Sequence, residues 1–112
     1  MRNPTSRLNV DTTFYAILCR IQGPNGGLFF AERTLEEASN LDETIADILN
    51  GQVENVERVF AFNPVEGTCR DVSEDIALDI VEQIDEPAAV RTDLRDFIEM
   101  HCGVGTAIAA AA

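Results

Sequence analysis

Thr12-Thr13-Phe14-Tyr15-Ala16-Ile17-Leu18-Cys19-Arg20-Ile21, followed by Gly23-Pro24-Asn25-Gly26-Gly27 and then Leu28-Phe29-Phe30-Ala31-Glu32-Arg33, is the stretch from which the fold is read. Aromatic and aliphatic residues fall on both alternating faces of Thr12 to Ile21, the pattern of a central strand. Asn25-Gly26 between two apolar runs signals a hairpin, because a tight turn of the right twist needs residues that tolerate positive φ. Leu28 to Arg33 is therefore expected to return as a second, antiparallel strand. A phosphate-cradling loop is the rival reading of these glycines. It fails because no Gly-Lys-Ser/Thr ending follows and the chain leads into a strand.

Downstream, Thr34-Leu35-Glu36-Glu37 has the form of a capping box. Leu35, Ala38, Leu41, Ile45, Ile48 and Leu49 then recur at helical spacing up to Asn50-Gly51. The spacing predicts one helix over Leu35 to Leu49, with Asn40 before Asp42-Glu43 as a point where it could restart. Val53 to Phe62 reads as the third strand, closed by Asn63-Pro64 and a turn at Glu66-Gly67. Ser73-Glu74-Asp75 opens a second helix that turns Ile76, Ala77, Ile80, Val81 and Ile84 inward. Pro87 suits the first position of a third helix, burying Val90, Leu94, Phe97 and Ile98 and stopping at Gly103. The expected fold is α+β: a three-stranded antiparallel sheet packed with three helices in the order β-β-α-β-α-α. Residues 12–103 form one domain, residues 1–11 a flexible leader and residues 104–112 a disordered tail.

A chain of 112 residues fits one domain and no more. Twenty Asp plus Glu against eight basic residues give a formal charge of −12, which opposes phosphate backbones and anionic membranes. Direct binding to nucleic acid or to a membrane is excluded on that ground. All the basic residues are arginine, which we read as the codon usage of a GC-rich genome. Cys19, Cys69 and Cys102 are odd in number and form no Cys-x-x-Cys pair, so neither a disulfide framework nor a zinc site is expected. Cys19 and Cys69 read as small buried or half-buried residues. No apolar run approaches the roughly 18 residues of a spanning helix, and the expected location is the cytoplasm.

The one histidine, His101, lies beside Cys102. Neighbours on a helix diverge by about 100°, so the two do not form a dyad unaided. His101 is better explained as a cation-capable residue near a helix C-terminus. No acidic run has the spacing of a calcium loop. The aromatics Phe14, Tyr15, Phe29, Phe30, Phe60 and Phe62 fall at strand spacing and read as core and interface. Neither catalysis nor a cofactor nor a metal is expected.

The acids are unevenly placed. Asp71, Glu74, Asp75, Asp79, Glu82, Asp85 and Glu86 follow one another without a basic residue between them. Asp75, Asp79, Glu82 and Glu86 recur at i, i+4, i+7 and i+11, a stripe opposite the Ile76, Ile80, Ile84 face. Like charges at i, i+4 cost roughly 0.2–0.5 kcal/mol per pair, so a helix chosen for stability alone would intersperse bases. One reading is a solvated face that keeps the domain soluble. The other is a docking surface for a basic protein partner, made of Asp71, Glu74, Asp75, Asp79, Glu82 and Glu86, with carboxylates spaced like the phosphates of a nucleic acid. A third possibility is a homo-oligomeric accessory protein whose strand aromatics build an apolar dimer face.

The segment Phe62-Asn63-Pro64-Val65-Glu66-Gly67-Thr68-Cys69-Arg70-Asp71-Val72-Ser73-Glu74-Asp75-Ile76-Ala77 resembles part of small uncharacterised proteins encoded on plasmids and phages of GC-rich proteobacteria. The resemblance covers the middle of the chain, from Thr34 to Ala77. It implies an accessory protein of a mobile element and no known reaction. Small acidic proteins of such elements include inhibitors of host nucleases and CRISPR complexes, some of which look like DNA to their targets. No residue of this chain matches a signature of those inhibitors, and no functional residue is transferred from them.

Overall fold

A computed structural model describes residues 11–86 and 89–103 of the chain. Four strands and four helices follow in the order β1 (Phe14–Arg20), β2 (Leu28–Phe30), α1 (Leu35–Ala38), α2 (Leu41–Leu49), β3 (Val56–Asn63), β4 (Thr68–Asp71), α3 (Ser73–Gln83) and α4 (Thr92–Cys102). The fold is α+β, but the expected three strands and three helices are corrected to four of each. The leader expected over residues 1–11 lies outside the described residues except for Asp11, and the tail expected over residues 104–112 and Pro87 lie outside them too.

The strands form one antiparallel sheet in the order β2-β1-β3-β4. β1 is central, with Leu18 opposite Phe30 on one side and Ile17 opposite Val59 on the other. β2 is shorter than the run to Arg33 suggested. After Ala31 donates its N–H to Ile17, Arg33 turns inward and donates to the carbonyls of Tyr15 and Glu37 and to the Thr44 hydroxyl, ending the ladder. The added strand, β4, hangs on β3 through a tight turn. The Asn63 carboxamide accepts from the Val65 and Glu66 amides, and Gly67 adopts a φ of 71° that an L side chain would resist.

The expected Leu35–Leu49 helix divides at Ser39-Asn40. Thr34 and Glu37 form their capping box, and six residues after Thr34 Asn40 caps again by accepting from the Glu43 amide at 2.9 Å. The last helix begins at Thr92, not at Pro87. Arg91, its N-cap, reaches back to donate to the carbonyls of Ile48 and Leu49, satisfying the C-terminal end of α2.

Helices cover one face of the sheet only. Ile17, Cys19, Val56, Val59 and Ala61 from the strands meet Ile45 and Ile48 of α2, Ile76, Ala77 and Ile80 of α3, and Leu94, Phe97 and Ile98 of α4. This core is aliphatic apart from Phe97, with Tyr15 packed at its edge. Of the strand aromatics read as core and interface, Phe14 is buried, Tyr15, Phe60 and Phe62 are half-buried, and Phe29 and Phe30 are exposed.

Candidate functional site

Two surfaces stand out, one on each side of the molecule. The first is the outer face of α3. Ser73, Ile76, Ala77 and Ile80 are buried against the sheet and neighbouring helices. At about 100° per residue the opposite side carries Glu74, Leu78, Glu82, Asp75 and Asp79, in that angular order, over roughly 140°. Glu74, Asp75 and Glu82 are exposed and Asp79 is half-buried. Among the described residues no arginine comes within ion-pair distance of these four carboxylates; the ion pairs are Arg20–Glu57, Arg33–Asp47, Arg58–Asp71 and Arg91–Asp93. Among the described residues Asp79 accepts from Gln83, at 3.1 Å. Leu78, 46% exposed, stands among the acids.

The six acids anticipated as one surface are thus not equivalent. α3 ends at Gln83, so Glu86 does not continue the helical stripe, and its carbonyl accepts from Ala89. Asp71 is at the end of β4. Its carboxylate pairs with Arg58 at 2.6 Å and accepts from the Ser73 amide and hydroxyl. Burial pushes the Asp71 carboxyl up, but the Ser73 hydrogen bonds and Arg58 outweigh it, and the group titrates below its ordinary range. Asp71 thereby anchors the start of α3, while Glu74, Asp75, Asp79 and Glu82 share its outer face. Asp75 and Asp79 also border a small groove with Arg70, Tyr15 and Leu41.

The second surface is the uncovered side of the sheet. Strand alternation and register bring Phe14, Ala16, Leu18, Leu28, Phe30, Phe60, Phe62 and Cys69 to that side, where Phe14 is buried, Ala16, Leu18, Phe60 and Phe62 are half-buried, and Leu28, Phe30 and Cys69 are exposed. Phe14 and Phe62 lie 5.7 Å apart, and Phe30 meets Phe60 edge-on at 6.4 Å. Ala16, between larger neighbours, floors an apolar hollow walled by Phe30, Phe60, Phe62 and Cys69. Cys69, expected to be buried or half-buried, is exposed here on edge strand β4. Sequence reasoning noticed the aromatics and not their common face, which depends on strand register.

His101 and Cys102 do not assemble a nucleophile. His101 Nε2 is 2.8 Å from the Glu57 carbonyl, which can only accept, so this nitrogen donates; its ring stacks edge-on with Phe97 at 4.9 Å. Burial and the Glu74 carboxylate push the Cys102 thiol up, and burial does the same at Cys19 against the opposing pull of Arg20. Among the described residues no three His, Cys, Asp or Glu side chains converge to hold a metal ion, and no helix is long and apolar enough to cross a membrane. Comparison with protein-family models, with characterised proteins and with solved structures returns no match.

Proposed function

We propose that the chain is a non-enzymatic binding protein that docks a basic, nucleic-acid-binding protein through the outer face of α3, inhibiting it by occupying the surface its nucleic acid would use. The supporting observation is the group Glu74, Asp75, Asp79 and Glu82 on that face, without a described arginine in ion-pair distance. Carboxylates that no described arginine pairs project a field that a basic groove can use. Leu78, at their centre, adds an apolar contact that water excludes once the charges have aligned the partners. The weak middle-of-chain resemblance to proteins of mobile elements agrees with an inhibitory role.

The experiment compares parent protein with the Glu74→Gln, Asp75→Asn, Asp79→Asn, Glu82→Gln variant as bait in lysate at low and high salt. The expected outcome is a basic protein captured by the parent, lost from the variant, released as the screening length shrinks to about 3 Å near 1 M salt, and displaced by added duplex DNA. Capture that ignores the substitutions and salt removes this reading and leaves a face that serves solubility.

A further inference from the structure

We infer that the groove between α2 and α3 is a binding site for a free aliphatic α-amino acid, held as a zwitterion with its side chain inward. Strand register sets the base of the groove. Tyr15 of β1 and Arg70 of β4 flank Ala61 of β3 in one row on the helix-covered side of the sheet. Leu41 and Ile45, one turn apart on α2, and Ile76 of α3 wall it, leaving a hollow of about 120 Å³. Asp75 and Asp79, one turn apart on α3, stand at its rim.

The lining changes character with depth. Ile45 and Ile76 are buried, Tyr15 and Asp79 half-buried, and Arg70 and Asp75 exposed. An apolar bottom under a charged mouth fits an amphipathic ligand. The mouth carries both signs, and this decides the class. Among the described residues the Arg70 guanidinium has no hydrogen-bond or ion-pair partner, whereas Arg20, Arg33, Arg58 and Arg91 each pair with an acid. Arg70 thus borders the same hollow as Asp75 and Asp79 but stays beyond ion-pair distance of both. A lone cation entering there meets Arg70, and a lone anion meets the two carboxylates. A molecule that offers an ammonium to the carboxylates and a carboxylate to the guanidinium satisfies all three groups.

Size narrows the ligand. An apolar cavity of about 150 Å³ accepts benzene, so the smaller hollow takes a branched side chain of about three or four carbons and no aromatic ring. Valine, leucine and isoleucine meet that limit with their charged groups at the mouth. Water reaches Arg70 and Asp75, so solvent competition holds the dissociation constant near about 1 mM. Asp75 and Asp79 also belong to the docking face proposed above, so a bound amino acid and a docked basic partner would exclude one another. The amino-acid site does not rest on that reading.

An amide-resolved NMR titration of the full chain alone with L-leucine, carried to about 20 mM, tests this without any protein partner. The amides of Tyr15, Ile45, Arg70 and Asp79 should shift and saturate, with half-saturation at about 1 mM. N-acetyl-L-leucine, which lacks the ammonium, and L-leucinamide, which lacks the carboxylate, should each bind at least about tenfold more weakly. Arg70→Gln and Asp79→Asn should weaken leucine binding by a similar factor and leave the rest of the spectrum unchanged, since neither side chain pairs with a described charged group. Absence of a saturating shift over the whole titration overturns the inference. So do shifts that both blocked leucines reproduce at equal concentration, and so does leucine binding that survives both substitutions.

Discussion

Ser73 has its hydroxyl between two elements: it accepts from the Val59 amide of β3 at 2.8 Å and donates to the Asp71 carboxylate. Both the serine and the amide it serves are buried, so Ser73→Ala leaves a donor without a partner. The expected loss is about 1–3 kcal/mol, read from the urea midpoint. Asp71 adds a pH dependence whose direction follows from its lowered carboxyl. A carboxyl that titrates lower when folded than its ordinary value of about 3.9 stabilises the fold above that pH and ceases to do so as pH falls through the folded value. Asp71→Asn should therefore cost about 0.5–1 kcal/mol near pH 7, modest because the side chain is 35% exposed to screening water. That deficit should shrink progressively as pH falls below about 3.9, followed in urea titrations run at a series of pH values.

At the scale of elements, the caps and the β1–β2 hairpin could be read from the chain, and the pairings of β3 and β4 could not. The capping box at Thr34-Glu37 and the second cap at Asn40 are local signals, each a side chain bonding an amide three residues on. They do not say whether the helix continues, since no glycine or proline separates Leu35 from Leu49. Asn40→Ala should remove the second cap at a cost of about 1 kcal/mol, seen as a lower Tm. β4 has no legible signature: Thr68-Cys69-Arg70-Asp71 shows no apolar alternation, and its strand geometry comes from the β3 ladder and the Asn63 turn. The acids of α3 were visible in sequence, but their arrangement as a broad face with Leu78 inside it was not, because the helix stops before Glu86. Replacing Asp75 and Asp79 together by Asn should stabilise the fold by about 0.2–0.5 kcal/mol, relieving an i, i+4 repulsion, even as it weakens any basic partner's grip.

At the scale of the whole molecule, polarity among the described residues is divided between layers: carboxylates without a described arginine partner on the outer side of α3, and Phe14, Phe30, Phe60 and Phe62 on the side of the sheet away from the helices. Composition reveals neither location, because an aromatic on β1 or β3 could face either way until register is fixed. Phe60 and Phe62 point away from the helices while Val59 and Ala61 point into the core. The proposed docking at α3 should weaken as salt is added, and partner capture over a salt titration reads that loss.

The central pairing of β1 with β3 also sets a timescale. β1–β2 and β3–β4 are hairpins closed by short turns, but Ile17 can meet Val59 only after α1, α2 and both their connections lie between them. Each hairpin can form in microseconds, whereas joining them closes a loop about forty residues long before the contact is rewarded. The barrier to refolding therefore belongs to that junction. Val59→Ala should slow refolding in stopped-flow measurements nearly in proportion to its loss of stability, while Phe30→Ser, on the outer strand of a hairpin, should leave the refolding rate almost unchanged.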